Sequence, residues 1–220
     1  MKVIIAGSTG MVGSLILKKC IESDAIDSIT VLLRKPSNKS PIAKVNEVVI
    51  EDFTNYNDHS DQFTNFDIAF FCIGAYTGQV DDESFKKITV DYAVEFAKMV
   101  KNSNPNARLC LLSGAGADRT EKSRTAFAKY KGMAENQISQ LGLQFHTFRP
   151  SYIYPVTPRK EPNFIYKITR QLYPLIKLFG KNMSIKSTEL AHAMYYVGLN
   201  GAKNEILENK DILEYFRTDS

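Results

Sequence analysis

Hydrophobic residues along the chain fall into six short runs, each followed by a longer polar or mixed stretch. The runs are nearly continuous in apolar residues, which is typical of strands in a parallel sheet that helices cover on both faces. The predicted strands are Lys2–Ala6, Ser28–Leu33, Val45–Ile50, Ile68–Cys72, Arg108–Leu112 and Leu143–Phe148. Their alternation with helical patterns predicts the α/β class, a doubly wound parallel sheet with right-handed crossovers.

Apolar residues at spacings of three and four mark the helices between these runs. The pattern is clearest over Asp82–Asn102, whose apolar stripe indicates a face packed on the core. Gly142 is the expected C-cap of the helix before the sixth strand. The predicted helices are Ser14–Cys20, Asp82–Asn102, about Glu121–Leu141, Glu189–Leu199 and Asp211–Phe216.

The length of 220 residues suits one domain with a full core. Beyond the sixth strand the pattern is less regular, and we expect residues 155–220 to form a small C-terminal helical lobe that acts as a substrate lobe or lid. Within it, Asn163–Phe179 mixes apolar and basic residues and contains Pro174. A lid, a membrane-surface or partner-binding helix, and a packed helix with solvated lysines all fit this stretch.

Composition excludes several classes of function. The hydrophobic fraction of 44% and the charged fraction of 24% are those of a soluble globular protein. A net charge of +4 without a basic block gives no support for nucleic-acid binding, and no stretch has the length of a membrane span. The scattered cysteines Cys20, Cys72 and Cys110 fit neither a disulfide set nor a metal site. We therefore expect a cytoplasmic protein.

Three glycines, Gly7, Gly10 and Gly13, lie between the first predicted strand and the first predicted helix. Their G-x-x-G-x-x-G spacing partly matches the G-x-G-x-x-G of dinucleotide-binding folds, where glycine lets a pyrophosphate approach the amides at the positive end of a helix. The alternative is a strand-to-helix turn that binds no ligand. We predict that a dinucleotide is held by Gly7, Ser8, Thr9, Gly10, Met11, Val12 and Gly13.

Two basic residues, Arg34 and Lys35, follow the second predicted strand. In dinucleotide folds an acidic residue at this strand end binds the 2′-hydroxyl of NAD, whereas a guanidinium can hold a 2′-phosphate through paired hydrogen bonds. The pair therefore favours NADP(H) over NAD(H). Two solvated side chains at a strand end are the alternative.

The order of glycine turn, Asp52, Gly74, Ser113, a helix carrying Lys131, and Arg149-Pro150 resembles the extended and atypical short-chain dehydrogenase/reductases. The similarity covers roughly residues 1 to 200 and is strongest to the NAD(P)-binding branch of NmrA-like and Tat-interacting, oxidoreductase-like proteins. It implies a Rossmann fold. It also implies that Asp52 contacts the adenine, with Phe53 beside it in the cofactor site, that Cys72, Ile73, Gly74 and Ala75 line the inner ribose and the nicotinamide, and that Pro150, Ser151 and Tyr152 flank the nicotinamide ring.

The family's reaction uses a serine and a Y-x-x-x-K pair, in which the tyrosine exchanges a proton with the substrate oxygen and the lysine holds the ribose. By resemblance the lysine is Lys131, followed by Gly132 and Glu135 as in many relatives, and the serine is Ser113. The tyrosine position then holds Phe127, which has no proton to give. Tyr130, one turn away, is the candidate substitute acid, and Tyr76 and Tyr152 are further candidates.

Two functions remain open at this point. Ser113 and Lys131 favour an NADP(H)-dependent oxidoreductase that acts on a small carbonyl or alcohol with a modified catalytic centre. Phe127 favours a non-catalytic NADP(H) sensor that presents a surface to a regulatory protein partner. A nucleotide-sugar epimerase fits less well, because it also needs the tyrosine and a larger substrate lobe.

Overall fold

A single parallel sheet of seven strands forms the centre of the computed structural model, which describes residues 1–37, 40–75, 78–156 and 182–218. The strands are β1 (Lys2–Ala6), β2 (Ser28–Leu33), β3 (Val45–Val49), β4 (Ile68–Phe71), β5 (Arg108–Leu112), β6 (Gln144–Arg149) and β9 (Ile206–Glu208). They are arranged in the order β3-β2-β1-β4-β5-β6-β9, and every neighbouring pair is parallel. The predicted α/β class and doubly wound sheet are confirmed. The order reverses beside β1, which is where such sheets bind ligands.

Helices cover both faces of this sheet. They are α1 (Met11–Glu22), α2 (Asp82–Lys86), α3 (Tyr92–Ser103), α4 (Ala126–Ser139), α5 (Ser187–Asn200) and α6 (Asn209–Thr218). One core layer contains α3 and α4, and the other contains α1, α5 and α6. Alternate residues of β1 enter opposite layers, Ile4 with α3 and Ile5 with α1, as the two-residue period of a strand requires. Burial on both faces explains why the strands are continuously apolar.

The predicted helix over Asp82–Asn102 is present but contains a π-helical turn, Lys87–Asp91, between α2 and α3. This turn packs against α4. Asp81 caps the start, because its carboxylate accepts hydrogen bonds from the Ser84 amide and hydroxyl, each at 2.8 Å.

The predicted start of the helix near Glu121 is wrong, since α4 begins at Ala126. The carboxylate of Asp118 accepts hydrogen bonds from the amides of Thr120 (2.9 Å) and Ser123 (2.8 Å), which holds this stretch in a turn. Gly142 is not the C-cap either. That position is Gln140, and Gly142 follows it with a φ of +70°, a conformation that glycine adopts without strain.

Three short strands were not predicted from the sequence. They are β9 and the parallel pair β7 (Tyr152–Tyr154) and β8 (Ser184–Lys186). Each has three residues, too few to show a period. The stretch Asn163–Phe179 lies outside the described residues, so a separate lobe over 155–220 stays a prediction. Within 182–218, α5 packs against α1, and β9 extends the main sheet beside β6. No helix in the described part of the chain is long and apolar enough to cross a membrane.

Candidate active site at the carboxyl edge of the sheet

A cavity of about 390 Å³ lies where the carboxyl ends of β1, β4, β5 and β6 meet. Each of these ends leads into a segment that the sequence singled out, and the parallel register brings the segments together. The wall is formed by Gly10, Met11, Val12, Cys72, Ile73, Gly74, Ala75, Leu112, Ser113, Gly114, Phe127, Lys131, Pro150, Ser151, Tyr152, Ile153 and Pro155.

The glycine turn joins β1 to α1 in a very tight arrangement. Gly7 has a φ of +87°, and a Cβ there would lie 2.7 Å from the Cys72 carbonyl carbon. A Cβ on Gly13 would lie 2.8 Å from the carbonyl carbon of Gly7, and still closer to its oxygen. Both positions therefore require glycine so that β1, α1 and the end of β4 can approach one another.

The amino end of α1 faces the cavity without a side-chain cap, and its first turn contains no acidic residue. Ser14 donates the first hydrogen bond of this helix, from its amide to the Gly10 carbonyl at 3.0 Å. The amides of Met11, Val12 and Gly13 therefore precede the helical hydrogen-bond pattern. An amino end of this kind carries partial positive charge and suits an anionic group.

Lys131 extends from α4 to the cavity wall, where its Nζ donates a hydrogen bond to the Leu112 carbonyl at 3.1 Å. Only 9% of the residue is exposed. Burial lowers the pKa of the ammonium to about 8, although the nearby Glu135 carboxylate and Cys72 thiol act in the opposite direction. This lysine is therefore much closer to losing its proton near neutral pH than an exposed lysine.

Phe127, four residues before Lys131, also lines the cavity. Its ring packs so closely on Gly114 that a Cβ there would lie 2.5 Å from the tip of the ring. The four-residue spacing places both side chains on one face of α4, as expected from the sequence. The cavity thus has an apolar ring where the resemblance places a phenol.

Tyr130 does not line this cavity, so its role as substitute acid stays a prediction that the structure does not support. Its hydroxyl donates a hydrogen bond to the Asp82 carboxylate on α2 at 2.7 Å, and its ring packs beside Phe85. Three residues along a helix leave the Tyr130 side chain about 60° from that of Phe127 around the axis and almost one turn further along it, and this offset places the hydroxyl beside α2. Tyr152 does line the cavity, and Tyr76 lies outside the described residues.

Ser113 lines the cavity at the end of β5, but its hydroxyl is bound on the side away from it. The Oγ donates a hydrogen bond to Oε1 of Glu135 at 2.6 Å. Glu135 is fully buried and also binds Arg119, Arg149 and Thr147. From the sequence, Glu135 indicated only how Lys131 aligns with the family motif. Its position four residues further along the same face was a signal that it lies under the site.

The remaining predicted binding residues lie outside the cavity wall. Asp52 follows β3, and its carboxylate accepts hydrogen bonds from the Thr54 amide (2.9 Å) and hydroxyl (2.8 Å), which hold the pKa of Asp52 below its usual value. Phe53 is buried in the core, whereas Arg34 and Lys35 are exposed just beyond β2. These residues border the same edge of the sheet, because β1, β2 and β3 end there.

The fold and the glycine turn define a dinucleotide-binding protein of the Rossmann type. A family model described as NAD(P)H-binding matches residues 7–196. The chain therefore belongs to this NAD(P)H-binding family, which agrees with the NAD(P)-binding character that the sequence predicted.

Two curated relatives indicate how far the similarity extends. Protein HTATIP2 of Rattus norvegicus is 24% identical over 217 residues, which cover 96% of this chain and 87% of that protein. Protein FMP52, mitochondrial, of Candida albicans is 30% identical over 151 residues, which cover 67% of this chain and 64% of that protein.

Two solved structures share the fold. Gre2 of Candida albicans in complex with NADPH superimposes with a TM-score of 0.72 at 13% identity, over 94% of this chain and 77% of that one. The Bordetella bronchiseptica enzyme WbmF in complex with NAD+ gives a TM-score of 0.70 at 12% identity, over 99% of this chain and 77% of that one.

Proposed function

We propose that the chain is an NADP(H)-dependent oxidoreductase that acts on a small carbonyl or alcohol through a modified proton-transfer centre. The proposal is carried by one observation: the amino end of α1 and the Lys131 side chain line the same cavity. The first is suited to a pyrophosphate and the second to a ribose or a substrate oxygen.

The residues present fit a dinucleotide. The main chain at Gly74 is open, since an added Cβ would meet nothing within 4 Å. At the helix end, Gly10 has only the Gly7 oxygen near its missing Cβ, at 3.2 Å. We assign the pyrophosphate to residues 7–13, the adenine to Asp52 and Phe53, the inner ribose to Lys131 and residues 72–75, and the nicotinamide to Pro150, Ser151 and Tyr152.

When bound, the nicotinamide would give or take a hydride. The chain's own residues must then hold the substrate oxygen and move one proton. Lys131, with a pKa of about 8, is mostly protonated at neutral pH and can supply that proton, and the Tyr152 phenol lines the cavity as a second candidate. Ser113 would position the substrate oxygen.

Arg34 and Lys35 support the choice of NADP(H), because they lie exposed beyond β2 where a 2′-phosphate would be held. Fluorescence titration should show tighter binding of NADPH than of NADH. Arg34→Ala should weaken NADPH binding about tenfold, or ~1.4 kcal/mol, and leave NADH unchanged. Lys18→Ala, which removes an exposed charge on α1, is the matched control. Equal affinities in the native protein would remove the basis for this preference.

Hydride transfer is tested with NADPH and a panel of aldehydes and ketones. We expect slow turnover by the native protein, a faster rate for Phe127→Tyr and a reduced rate for Lys131→Ala. The first change restores a phenol to the cavity, and the second removes the ammonium. Dinucleotide binding without turnover of any of these carbonyls with NADPH, or of the corresponding alcohols with NADP+, would refute the oxidoreductase.

A second function, a non-catalytic NADP(H) sensor, is favoured by the packing of the Phe127 ring on Gly114. In this case the bound dinucleotide would change a surface that a regulatory partner recognises. Hydrogen exchange compared between the apo, NADP+ and NADPH states should then reveal a surface segment that responds to the cofactor. Identical exchange in the three states would argue against a sensor.

The location that we propose is the cytoplasm. The three cysteines are free thiols, as in a reducing compartment. Because FMP52 of Candida albicans is named a mitochondrial protein, imaging of a tagged full chain must distinguish the two compartments. Tagged protein confined to an organelle would overturn this proposal.

A further inference from the structure

A fully buried carboxylate, Glu135, lies directly behind the cavity wall. Its Oε1 accepts hydrogen bonds from the Ser113 hydroxyl (2.6 Å) and the Thr147 hydroxyl (3.0 Å). Its Oε2 accepts from Arg119 Nε (2.9 Å) and Arg149 Nη2 (2.5 Å). Ser113 is the member of this group that also faces the cavity, so the network connects the buried charge to the site.

The charge of Glu135 sets the direction of the hydrogen bond with Ser113. Burial alone would raise the pKa of this carboxyl, but hydrogen bonds from Arg149, Ser113 and Arg119 outweigh burial and leave the pKa below its usual value. An ionised carboxylate has no proton and can only accept. The proton of the pair therefore belongs to Ser113, and it points at Glu135.

The consequence for the cavity concerns polarity. A hydroxyl has one proton, so Ser113 has only oxygen lone pairs left for a ligand. Phe127, beside it on the wall, has no polar atom. A carbonyl oxygen placed against Ser113 would face another acceptor, whereas a hydroxyl would find a hydrogen-bond partner.

We propose that Glu135 is a positioning residue that makes Ser113 a hydrogen-bond acceptor, so that the cavity selects ligands with a hydroxyl over ligands with a carbonyl at this point. This inference rests on the proposed function, since it concerns the substrate side of a dinucleotide site. It names the substrate class: an alcohol whose O–H donates to Ser113 Oγ.

The test compares two probes that do not react in the presence of NADP+: 1-methylcyclohexanol, a tertiary alcohol that cannot be oxidised, and cyclohexanone, which needs NADPH to be reduced. Their affinities for the NADP+-saturated full chain are measured by saturation-transfer NMR. We expect the alcohol to bind at least about fivefold more tightly, because one hydrogen bond is worth on the order of 1 kcal/mol. Ser113→Ala should abolish this ratio.

Two further variants separate positioning from stability. In Glu135→Gln the amide can donate to Ser113, which frees the hydroxyl proton for the cavity and should shift the ratio toward the ketone. Thr147→Val removes another hydrogen bond to the same carboxylate oxygen, but Thr147 is fully buried and does not line the cavity. It should lower stability and keep the native ratio. If Glu135→Gln does not fold, the comparison of Ser113→Ala with Thr147→Val still decides.

Several results would overturn the inference: a native preference for cyclohexanone, no preference, no binding of either probe, or an unchanged ratio in Ser113→Ala. The NADP+ titration that precedes the probes is a separate result. If it fails, the proposed dinucleotide site is wrong; if it succeeds and the ratio fails, only the polarity of the cavity is wrong.

Discussion

Alanine substitutions at Gly13 and Gly10 should separate the packing role of the glycine turn from a role in binding. At Gly13 a Cβ would lie 2.8 Å from the Gly7 carbonyl carbon and 3.3 Å from the Cys72 Cβ. The first neighbour is main chain and cannot rotate away. At Gly10 the single close neighbour is the Gly7 oxygen at 3.2 Å, and the φ of −77° is one that alanine adopts readily.

These contacts give different magnitudes. Overpacking of a tight interface costs about 1–3 kcal/mol or more, and alanine returns about 1 kcal/mol through its helix propensity. Because the nearest neighbour of the added Cβ is the main-chain oxygen of Gly7, the upper end of this cost applies, and we expect Gly13→Ala to lower the free energy of unfolding by about 2 kcal/mol or more. Gly10 is the N-cap of α1, where alanine is poorer than glycine by only about 0.5–1 kcal/mol. Gly10→Ala should instead lose at least about tenfold in NADPH affinity, because its Cβ would stand where the phosphates approach.

Urea denaturation in the absence of cofactor measures the first effect, and NADPH fluorescence titration of the folded variants measures the second. The reasoning about packing fails if Gly13→Ala is as stable as the native protein. The assignment of the phosphates to this turn fails if Gly10→Ala binds NADPH with native affinity.

Three further predictions follow from buried groups. Tyr56→Phe should raise the urea midpoint, with a gain of about 1 kcal/mol in the free energy of unfolding, because the buried Tyr56 hydroxyl has no hydrogen-bond partner in the described part of the chain. An unchanged or lower midpoint would contradict this prediction. Lys131 has a folded-state pKa of about 8, below its usual value of 10.5, so the unfolded chain binds more protons than the folded chain between these two pH values. The free energy of unfolding should therefore rise with pH across that window. Urea titrations at several pH values should show this rise in the native protein and not in Lys131→Met. Burial raises the thiol pKa of Cys20 to about 12 and that of Cys110 further, so these two fully buried thiols should react with a thiol reagent at neutral pH only after unfolding.

Much of the fold could be predicted because its signals are local. The buried strands can be found as apolar runs in the sequence. The regular spacing of three glycines over Gly7–Gly13 indicates a tight turn between a strand and a helix. The start of α4 could not be placed, because the carboxylate of Asp118 competes with helix formation through hydrogen bonds to residues on its own loop. Strand β9 could not be found either, since its three residues gain their structure from pairing with β6.

Part of the candidate site could likewise be predicted from local signals, and part could not. Helical spacing predicted that Phe127 and Lys131 share a face, and the strand ends predicted that Ser113 lies near them. Tyr130 was misplaced because its orientation depends on Asp82, a residue 48 positions away in the sequence. The binding of Ser113 to Glu135 was equally invisible, because it depends on arginines from two other segments that keep a buried carboxylate ionised.

The π turn Lys87–Asp91 has a consequence for how this segment can change in length. A π turn holds one residue more than an α turn, so it shifts the phase of α3 relative to α2 by about 100°. Deleting one residue there would restore an unbroken α-helix and rotate the buried stripe of α3, including Phe96 and Val100, away from the sheet. Within Lys87–Asp91, a single deletion would therefore expose part of the buried face of α3 and bury part of its exposed face.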